Sequence, residues 1–183
     1  MKKYLITSRE FYTDTPAVFR GILQEQLIKY MPDFALYRDK SNPHYDVQAD
    51  HFVEVCKNFM GLKSFLHQEY ELAASLGANG VHLTSKQFDK IQNAKSLGLE
   101  VIISTHTKEE VLQAEKLGAD YVTYSPIFAT PGKGEPKGVG NLEELVKDVN
   151  IKVFALGGII KEEEVNAIEG SGVYGFASIR YFY

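Results

Sequence analysis

The chain has 183 residues, of which 44% are hydrophobic and 24% are charged, enough apolar sequence for one globular domain with a sizeable core. Its formal net charge of -4 argues against a broad nucleic-acid or acidic-membrane surface, so we expect small-molecule partners. The single Cys56 excludes an internal disulfide, and residues 1–7 turn polar too soon for a signal peptide or membrane span; both features predict a cytoplasmic protein.

Strands and helices are predicted to alternate along the whole chain. The first strand is expected at residues 4–8, and Pro16 opens a helix with an apolar face that runs to Ile28. The later strands are predicted at 34–40, 64–68, 80–83, 101–106, 119–125, 153–156 and 175–179. The helices between them are predicted at about 47–58, 70–76, 86–97, 108–117, 142–148 and 161–168. Eight such units in one domain, residues 1–183, predict an α/β fold of the compact (β/α)8 TIM barrel type.

The end of the chain departs from this repeat. Only four residues follow Ile179, so we expect the last helix to be truncated or missing. The outer face of the eighth strand then needs another cover, and the tail Tyr181, Phe182 and Tyr183 is too aromatic to favour full exposure. A partner subunit in a homodimer could cover it, or the tail could fold back on its own barrel.

Polar and charged residues collect where the strands end, which is where parallel barrels carry their chemistry. Arg38 and Lys40 share one face at the end of the second strand and suit a phosphate, unless they are solvated or paired with Asp39 and Asp33. Ser104 and His106 share a face at the end of the fifth strand. Ser104 is a candidate ligand-binding hydroxyl, whereas His106 is either functional or a structural helix cap.

Two glycine-rich segments complete the candidate site. Thr130 and Lys133 lie on a long loop, where the lysine could cover a bound anion or simply be solvated. Gly157 and Gly158 after the seventh strand, with Ile179 and Arg180 after the eighth, are candidate phosphate ligands through their backbone amides. His82, in the fourth strand, is interpreted as a buried barrel histidine in preference to a catalyst.

Six segments, in this order, resemble the thiamine phosphate synthase/TenI family over residues 34–180. They are residues 36–40 (LYRDK), 80–83 (GVHL), 104–107 (STHT), 118–122 (GADYV), 126–133 (PIFATPGK) and 155–159 (ALGGI). Members of this family are (β/α)8 barrels. The synthase branch joins hydroxymethylpyrimidine diphosphate to thiazole phosphate with Mg²⁺, and the TenI branch includes a metal-free thiazole tautomerase and proteins described as regulators.

The departures from the family pattern determine which branch the resemblance favours. Synthases carry an Asn-Asp pair after strand three and an Asp after strand four for Mg²⁺, where this chain has His67-Gln68 and Gln87. Neutral amides hold a hard cation poorly, so we expect no metal site and no cofactor, with Mg²⁺ only if synthase activity is retained. The family's second loop hydroxyl is replaced by Gly132, the serine common after strand eight by Arg180, and the tautomerase histidine by Pro126.

These observations favour a TenI-like, metal-independent isomerase or tautomerase that binds thiazole phosphate or thiamine phosphate at the barrel mouth. His67 or His106 would carry the proton, because imidazole titrates near neutrality. The alternatives are thiamine phosphate synthase itself and a non-catalytic protein that binds a thiamine precursor.

Overall fold

The computed structural model describes residues 1–183 and shows one closed barrel of eight parallel strands. Each strand pairs with the next along the chain, and the eighth pairs with the first through Tyr4 and Ala177, which closes the sheet. The predicted (β/α)8 barrel is therefore confirmed. None of the helices combines the length and the apolar character that a membrane span needs.

The strands are short and the helices lie between them in sequence. The strands are β1 (Lys2–Ile6), β2 (Phe34–Tyr37), β3 (Lys63–His67), β4 (Gly80–Leu83), β5 (Glu100–Thr105), β6 (Tyr121–Tyr124), β7 (Lys152–Leu156) and β8 (Gly175–Ser178). The helices are α1 (Arg9–Tyr12), α2 (Pro16–Tyr30), α3 (Tyr45–Cys56), α4 (Tyr70–Leu76), α5 (Ile91–Ser96), α6 (Lys108–Lys116), α7 (Gly138–Asp148) and α8 (Glu162–Glu169).

Three elements differ from the sequence prediction. Strand β2 ends at Tyr37 and not at residue 40, because the Arg38 amide donates to the Thr7 hydroxyl (3.1 Å). The helix predicted at 86–97 is a 3₁₀ turn (Phe88–Lys90) followed by α5. Helix α1, a single turn after β1, was not predicted. Arg38 and Lys40 consequently lie in the β2–α3 loop, just beyond the end of the barrel.

The barrel interior is filled with aromatic rings and is not a pore. Tyr4 and Phe34 each pack against Phe154, with ring centroids 5.2 and 5.1 Å apart. Gly80 and Gly175 leave room for these rings, since a Cβ at Gly175 would lie 2.7 Å from the Phe154 ring and one at Gly80 would clash with Phe65. This packing closes the amino-terminal half of the barrel and leaves only the carboxyl-terminal mouth open to ligands.

The last helix is reduced to a 3₁₀ turn, Arg180–Phe182, as the sequence analysis expected. Phe182 is fully buried and stacks on Phe176, the outward-facing ring of β8, at 5.6 Å. Tyr183 packs on Phe11 at 4.2 Å. The tail thus folds back on its own barrel and covers β8, so the uncovered surface that suggested a homodimer is not present at this place.

Candidate functional site

A cavity of about 320 Å³ opens at the carboxyl-terminal mouth of the barrel. Its wall contains all seven of the predicted catalytic and substrate-binding residues and two of the predicted phosphate ligands: Arg38, Lys40, His67, Ser104, His106, Thr130, Lys133, Gly157 and Ile179. The other two phosphate candidates, Gly158 and Arg180, line an adjoining cavity of about 260 Å³ that shares Thr130, Leu156, Gly157 and Ile179 with the first. The strand ends therefore bring residues from six segments of the chain to one place.

The mouth contains three cations that have no carboxylate partner: Arg38, Lys40 and Lys133. No carboxylate oxygen lies within ion-pair distance of any of them. The two acids that could have neutralised the first pair are engaged elsewhere, since Asp39 accepts from Arg9 (3.0 Å) and Asp33 from Lys2 (2.6 Å). Of the two alternatives to a phosphate role, pairing with these acids is thus excluded.

The lowered pKa values of Arg38 and Lys40 show that this arrangement is electrostatically unfavourable. Burial lowers the pKa of Arg38, and the Arg38 charge, with smaller contributions from burial and Lys133, lowers the pKa of Lys40. Each shift records a site where positive charge is held at a cost. An anion in the mouth would remove that cost for both residues.

His67 lies at the end of β3, largely buried beside these cations. Burial, followed by the charges of Arg38 and Lys40, lowers the pKa of His67 to about 4. The imidazole is consequently neutral near neutral pH and is a weak base. Its backbone N–H donates to the Tyr45 hydroxyl (3.0 Å), which fixes the strand end. His67 is placed to donate or accept a hydrogen bond but is poorly matched to proton transfer.

His106, unlike the buried His67, is exposed to solvent. Its ring is exposed, and Nδ1 lies 3.2 Å from the Ser125 carbonyl oxygen. Nδ1 also lies 3.3 Å from the Ser125 hydroxyl, and Nε2 has no hydrogen-bond partner in the protein. The backbone N–H of His106 donates to Glu110 in the first turn of α6 (2.5 Å), so its main chain contributes to the helix start while its ring remains available.

Part of the site, in the barrel below Ser104, was not predicted from the sequence. The Ser104 hydroxyl lies 3.0 Å from His82 Nε2, and His82 Nδ1 lies 2.8 Å from the Tyr4 hydroxyl. His82 is buried, as predicted, but it also forms part of the floor of the mouth cavity. Alternation along β4 and β5 placed both side chains inside the barrel, although it gave no sign that they were bonded to each other.

The two glycines after β7 have a structural reason to be glycine. Gly157 and Gly158 have φ of 101° and 69°. A Cβ at Gly158 would lie 2.6 Å from Phe128 Cβ and 2.8 Å from the Ala129 carbonyl oxygen. The β6–α7 loop fills the space that we expected for a ligand. The amides of Gly158, Ile179 and Arg180 nevertheless donate to no acceptor in the protein, so a backbone anion site at the adjoining cavity stays a prediction.

The residues present do not fit the Mg²⁺ of the synthase branch. The Gln87 side-chain oxygen already accepts from the Thr84 amide (3.0 Å) and the Thr84 hydroxyl (3.2 Å). Gln68 has a left-handed backbone (φ 69°), Glu69 is exposed, and no group of three acidic, histidine or cysteine side chains is arranged to hold a metal. Mg²⁺ prefers anionic oxygen ligands in a near-octahedral set, which this end of the barrel does not provide.

The comparisons with known proteins agree with one another. The model of the thiamine monophosphate synthase family matches residues 4–182. A putative thiamine-phosphate synthase 2 of Aquifex aeolicus is 36% identical over 120 residues, which are 64% of this chain and 64% of the relative. The thiamine-phosphate synthase of Shouchella clausii is 31% identical over 173 residues, 91% of this chain and 81% of the relative.

Among solved structures, a thiamine phosphate pyrophosphorylase from Pyrococcus furiosus superposes with a TM-score of 0.83 at 26% identity. That match covers 97% of this chain and 85% of the other. The match to the Aquifex relative, by contrast, spans slightly less than two thirds of that protein's length.

Proposed function

This chain belongs to the thiamine monophosphate synthase family, and from that membership we propose that its barrel mouth binds a phosphorylated thiazole or thiamine-like ligand. The observation that carries the proposal is the convergence of Arg38, Lys40 and Lys133 on one cavity without a carboxylate to neutralise them. An anionic ligand is the group that such a site stabilises best.

Each part of the site has a distinct role in this proposal. Arg38 and Lys40 hold the phosphate or diphosphate, and Lys133 approaches it from the β6–α7 loop. The Ser104 and Thr130 hydroxyls orient the rest of the ligand. The free amides of Gly158 and Ile179, with Arg180, take a second phosphate group at the adjoining cavity.

Titration calorimetry with thiazole phosphate, thiamine phosphate and the unphosphorylated thiazole alcohol tests the ligand assignment. We expect the phosphorylated compounds to bind at least tenfold more tightly than the alcohol, which corresponds to about 1.4 kcal/mol from the charge-assisted contacts. Equal affinities for the alcohol and its phosphate would overturn the assignment.

The names of the relatives favour the synthase reaction, the joining of a pyrimidine diphosphate to thiazole phosphate. In this chain the departing diphosphate would be neutralised by Arg38, Lys40 and Lys133. We therefore expect turnover to be slow and little dependent on Mg²⁺, because Gln68 and Gln87 stand where the family resemblance places the synthase aspartates.

A coupled assay with both substrates and Mg²⁺ tests this expectation in the natural protein and in the double variant Gln68→Asp, Gln87→Asp. A matched control is Gln24→Asp, Gln113→Asp, which adds the same charge at exposed positions outside the mouth. Activity gained only in the first variant would support the proposal. Robust Mg²⁺-dependent turnover by the natural protein would contradict it.

A metal-independent isomerase of the TenI type is the second candidate, and the free Nε2 of His106 favours it. An exposed imidazole with an unpartnered ring nitrogen can take a proton from a bound thiazole and return it. Exchange of a thiazole ring proton with deuterated water, followed by NMR, separates the candidates. Loss of exchange in His106→Gln, but not in His67→Asn, would identify isomerase chemistry, and no exchange in the natural protein would favour a binding protein.

A homodimer is part of the same proposal, although the tail Tyr181–Tyr183 no longer argues for it. Sedimentation velocity at micromolar concentration gives the answer directly. A monomer under those conditions would remove the dimer without affecting the ligand assignment.

A further inference from the structure

Tyr4, His82 and Ser104 are linked by two hydrogen bonds inside the barrel. Tyr4 is fully buried among aromatic rings, and its hydroxyl has one hydrogen-bond partner in the protein, His82 Nδ1 at 2.8 Å. His82 Nε2 lies 3.0 Å from the Ser104 hydroxyl. Ser104 has no other side-chain or backbone partner for its hydroxyl, and it lines the mouth cavity.

The direction of these hydrogen bonds follows from counting donors. Burial raises the pKa of Tyr4 far above its ordinary value, so the phenol keeps its proton. A buried O–H without an acceptor is strongly disfavoured, and Nδ1 is the one acceptor within reach. Tyr4 therefore donates to His82 Nδ1.

The second bond is then determined as well. Burial lowers the pKa of His82 far below its ordinary value, so the ring is neutral and carries one hydrogen. Since Nδ1 accepts from Tyr4, that hydrogen is on Nε2 and is donated to the Ser104 oxygen. The Ser104 hydrogen is left without a protein acceptor.

We propose that Tyr4 and His82 act as positioning residues that hold Ser104 as a hydrogen-bond donor toward the ligand. The mouth thereby selects a ligand that presents an acceptor atom to Ser104, such as a phosphate oxygen or an unprotonated ring nitrogen. A ligand with an N–H or O–H at that position can bond only the second lone pair of the Ser104 oxygen, and it leaves the Ser104 hydrogen without an acceptor. The ligand contact rests on the proposed function, whereas the bond direction does not.

The imidazole nitrogens of His82 report the bond direction in the ligand-free protein. Long-range ¹H–¹⁵N correlation spectra of labelled protein should show a neutral ring with the hydrogen on Nε2. Tyr4→Phe removes the donor that fixes this tautomer, so a shift toward the Nδ1–H form is expected. Tyr121→Phe is the matched control, since it removes a tyrosine hydroxyl that bonds Lys63 (3.3 Å) at the opposite end of the barrel.

Binding of thiazole phosphate reports the ligand contact. Ser104→Ala should bind about tenfold more weakly than the natural protein. Tyr4→Phe should lose less affinity than Ser104→Ala, and Tyr121→Phe should bind as tightly as the natural protein. Ser104→Thr keeps the hydroxyl and should restore much of the affinity, which a purely structural role for the residue would not require.

Three results would overturn the inference. They are a charged His82, an Nδ1–H tautomer in the natural protein, and equal affinities of the natural protein, Ser104→Ala and Tyr4→Phe for thiazole phosphate. Failure of the natural protein to bind thiazole phosphate at all would overturn the proposed function and the ligand contact. The His82 spectrum would still decide whether Tyr4 and His82 fix the Ser104 hydroxyl.

Discussion

Lys63 at the amino-terminal end of the barrel and Arg38 at the carboxyl-terminal end are both partly buried cations, but only Lys63 has a carboxylate partner. Its ammonium group lies 2.6 Å from Glu100 and also donates to the Tyr121 hydroxyl (3.3 Å). Lys2 and Lys95 at the same end are paired with Asp33 and Asp120 at 2.6 and 2.7 Å. At the mouth, by contrast, no acid balances the cations.

This difference separates structural charges from functional ones. At the closed end each paired lysine helps to fix the start of a strand, as Asp120 shows by also accepting from the Val101 amide (2.7 Å). At the mouth the protein retains a repulsion that lowers the pKa of Lys40. Unfavourable charge placement that the fold itself does not need is typical of ligand sites.

The largest expected effect is a loss of stability when Gly158 is replaced. It tests whether the β6–α7 loop is packed against the end of β7 as tightly as the closed end of the barrel is packed. Gly158→Ala places a methyl group against Phe128 and Ala129 on a left-handed backbone, so we expect a loss of about 3 kcal/mol in unfolding free energy. Gly132→Ala is the control, because its φ of 71° is similar but no atom lies within 4 Å of its Cβ position. It should lose about 1 kcal/mol.

Urea unfolding of both variants gives the comparison. Similar losses would show that the β6–α7 loop does not pack on Gly158 as described. Because the packing alone predicts damage at this position, weak ligand binding by a Gly158 variant would not by itself identify a phosphate site.

The second prediction exchanges one cation at each end for a neutral side chain. Arg38→Gln should weaken thiazole phosphate binding by about 10- to 100-fold, since it removes a partly desolvated charge–phosphate contact. Lys63→Gln should leave that affinity unchanged and lower stability by about 1 kcal/mol, because its ion pair is partly solvated. Calorimetry and urea unfolding of the two variants check both halves, and equal effects on affinity would remove the distinction between the ends.

The third prediction concerns the loss of unfolding free energy at low pH that follows from the lowered pKa of His67. The pKa of His67 is about 4 in the folded protein, whereas an exposed histidine has a value of about 6.5. The unfolded chain therefore takes up the proton first, and stability falls as the pH drops through this interval. From about pH 7 to about pH 5.5 we expect His67 to contribute about 1 kcal/mol of this loss.

His67→Asn should flatten the stability profile by that amount, whereas His44→Asn, at an exposed position, should leave it unchanged. Urea unfolding at several pH values measures both variants. A His67→Asn profile parallel to that of the natural protein would show that His67 is not held neutral by burial and by its cationic neighbours.

The smallest effect is that of salt. Lys40 and Lys133 are exposed, so raising NaCl from about 0.05 M to about 0.5 M should weaken thiazole phosphate binding several-fold. Unfolding free energy should change little over the same range, since the ion pairs at the closed end contribute little individually. Salt-independent affinity would mean that the exposed lysines do not contact the ligand.

The barrel and the location of the site could be predicted because both depend on local patterns. Alternating strands and helices give the fold, and parallel strand ends meet at one mouth whatever lies between them. This is why Arg38 and Lys133, almost a hundred positions apart in the sequence, could be assigned to one cavity although β2 ends three residues earlier than expected.

The pairing within the site could not be predicted, because it depends on side chains that only the fold brings together. Asp39 could have neutralised Arg38, its neighbour in sequence, but it bonds Arg9 on the unpredicted helix α1. The glycines after β7 were interpreted from the freedom that they give a ligand to approach, whereas residues 126–130 of the chain are what approach them. Sequence gives the residue types at the mouth, and their partners decide which of them remain available.

The β6–α7 loop is anchored at its base and open at its tip, and this has an entropic consequence for Lys133. The base is held by backbone bonds from Phe128 to Gly157 (3.0 Å) and from Lys137 to Pro126 (2.9 Å), while the tip at Gly132 and Gly134 contacts nothing within 4 Å of their Cβ positions. Lys133 is thus carried on a short tether whose two ends are already fixed. Most of the loop-closure entropy is lost during folding, so Lys133 has a high effective concentration over the mouth before any ligand arrives.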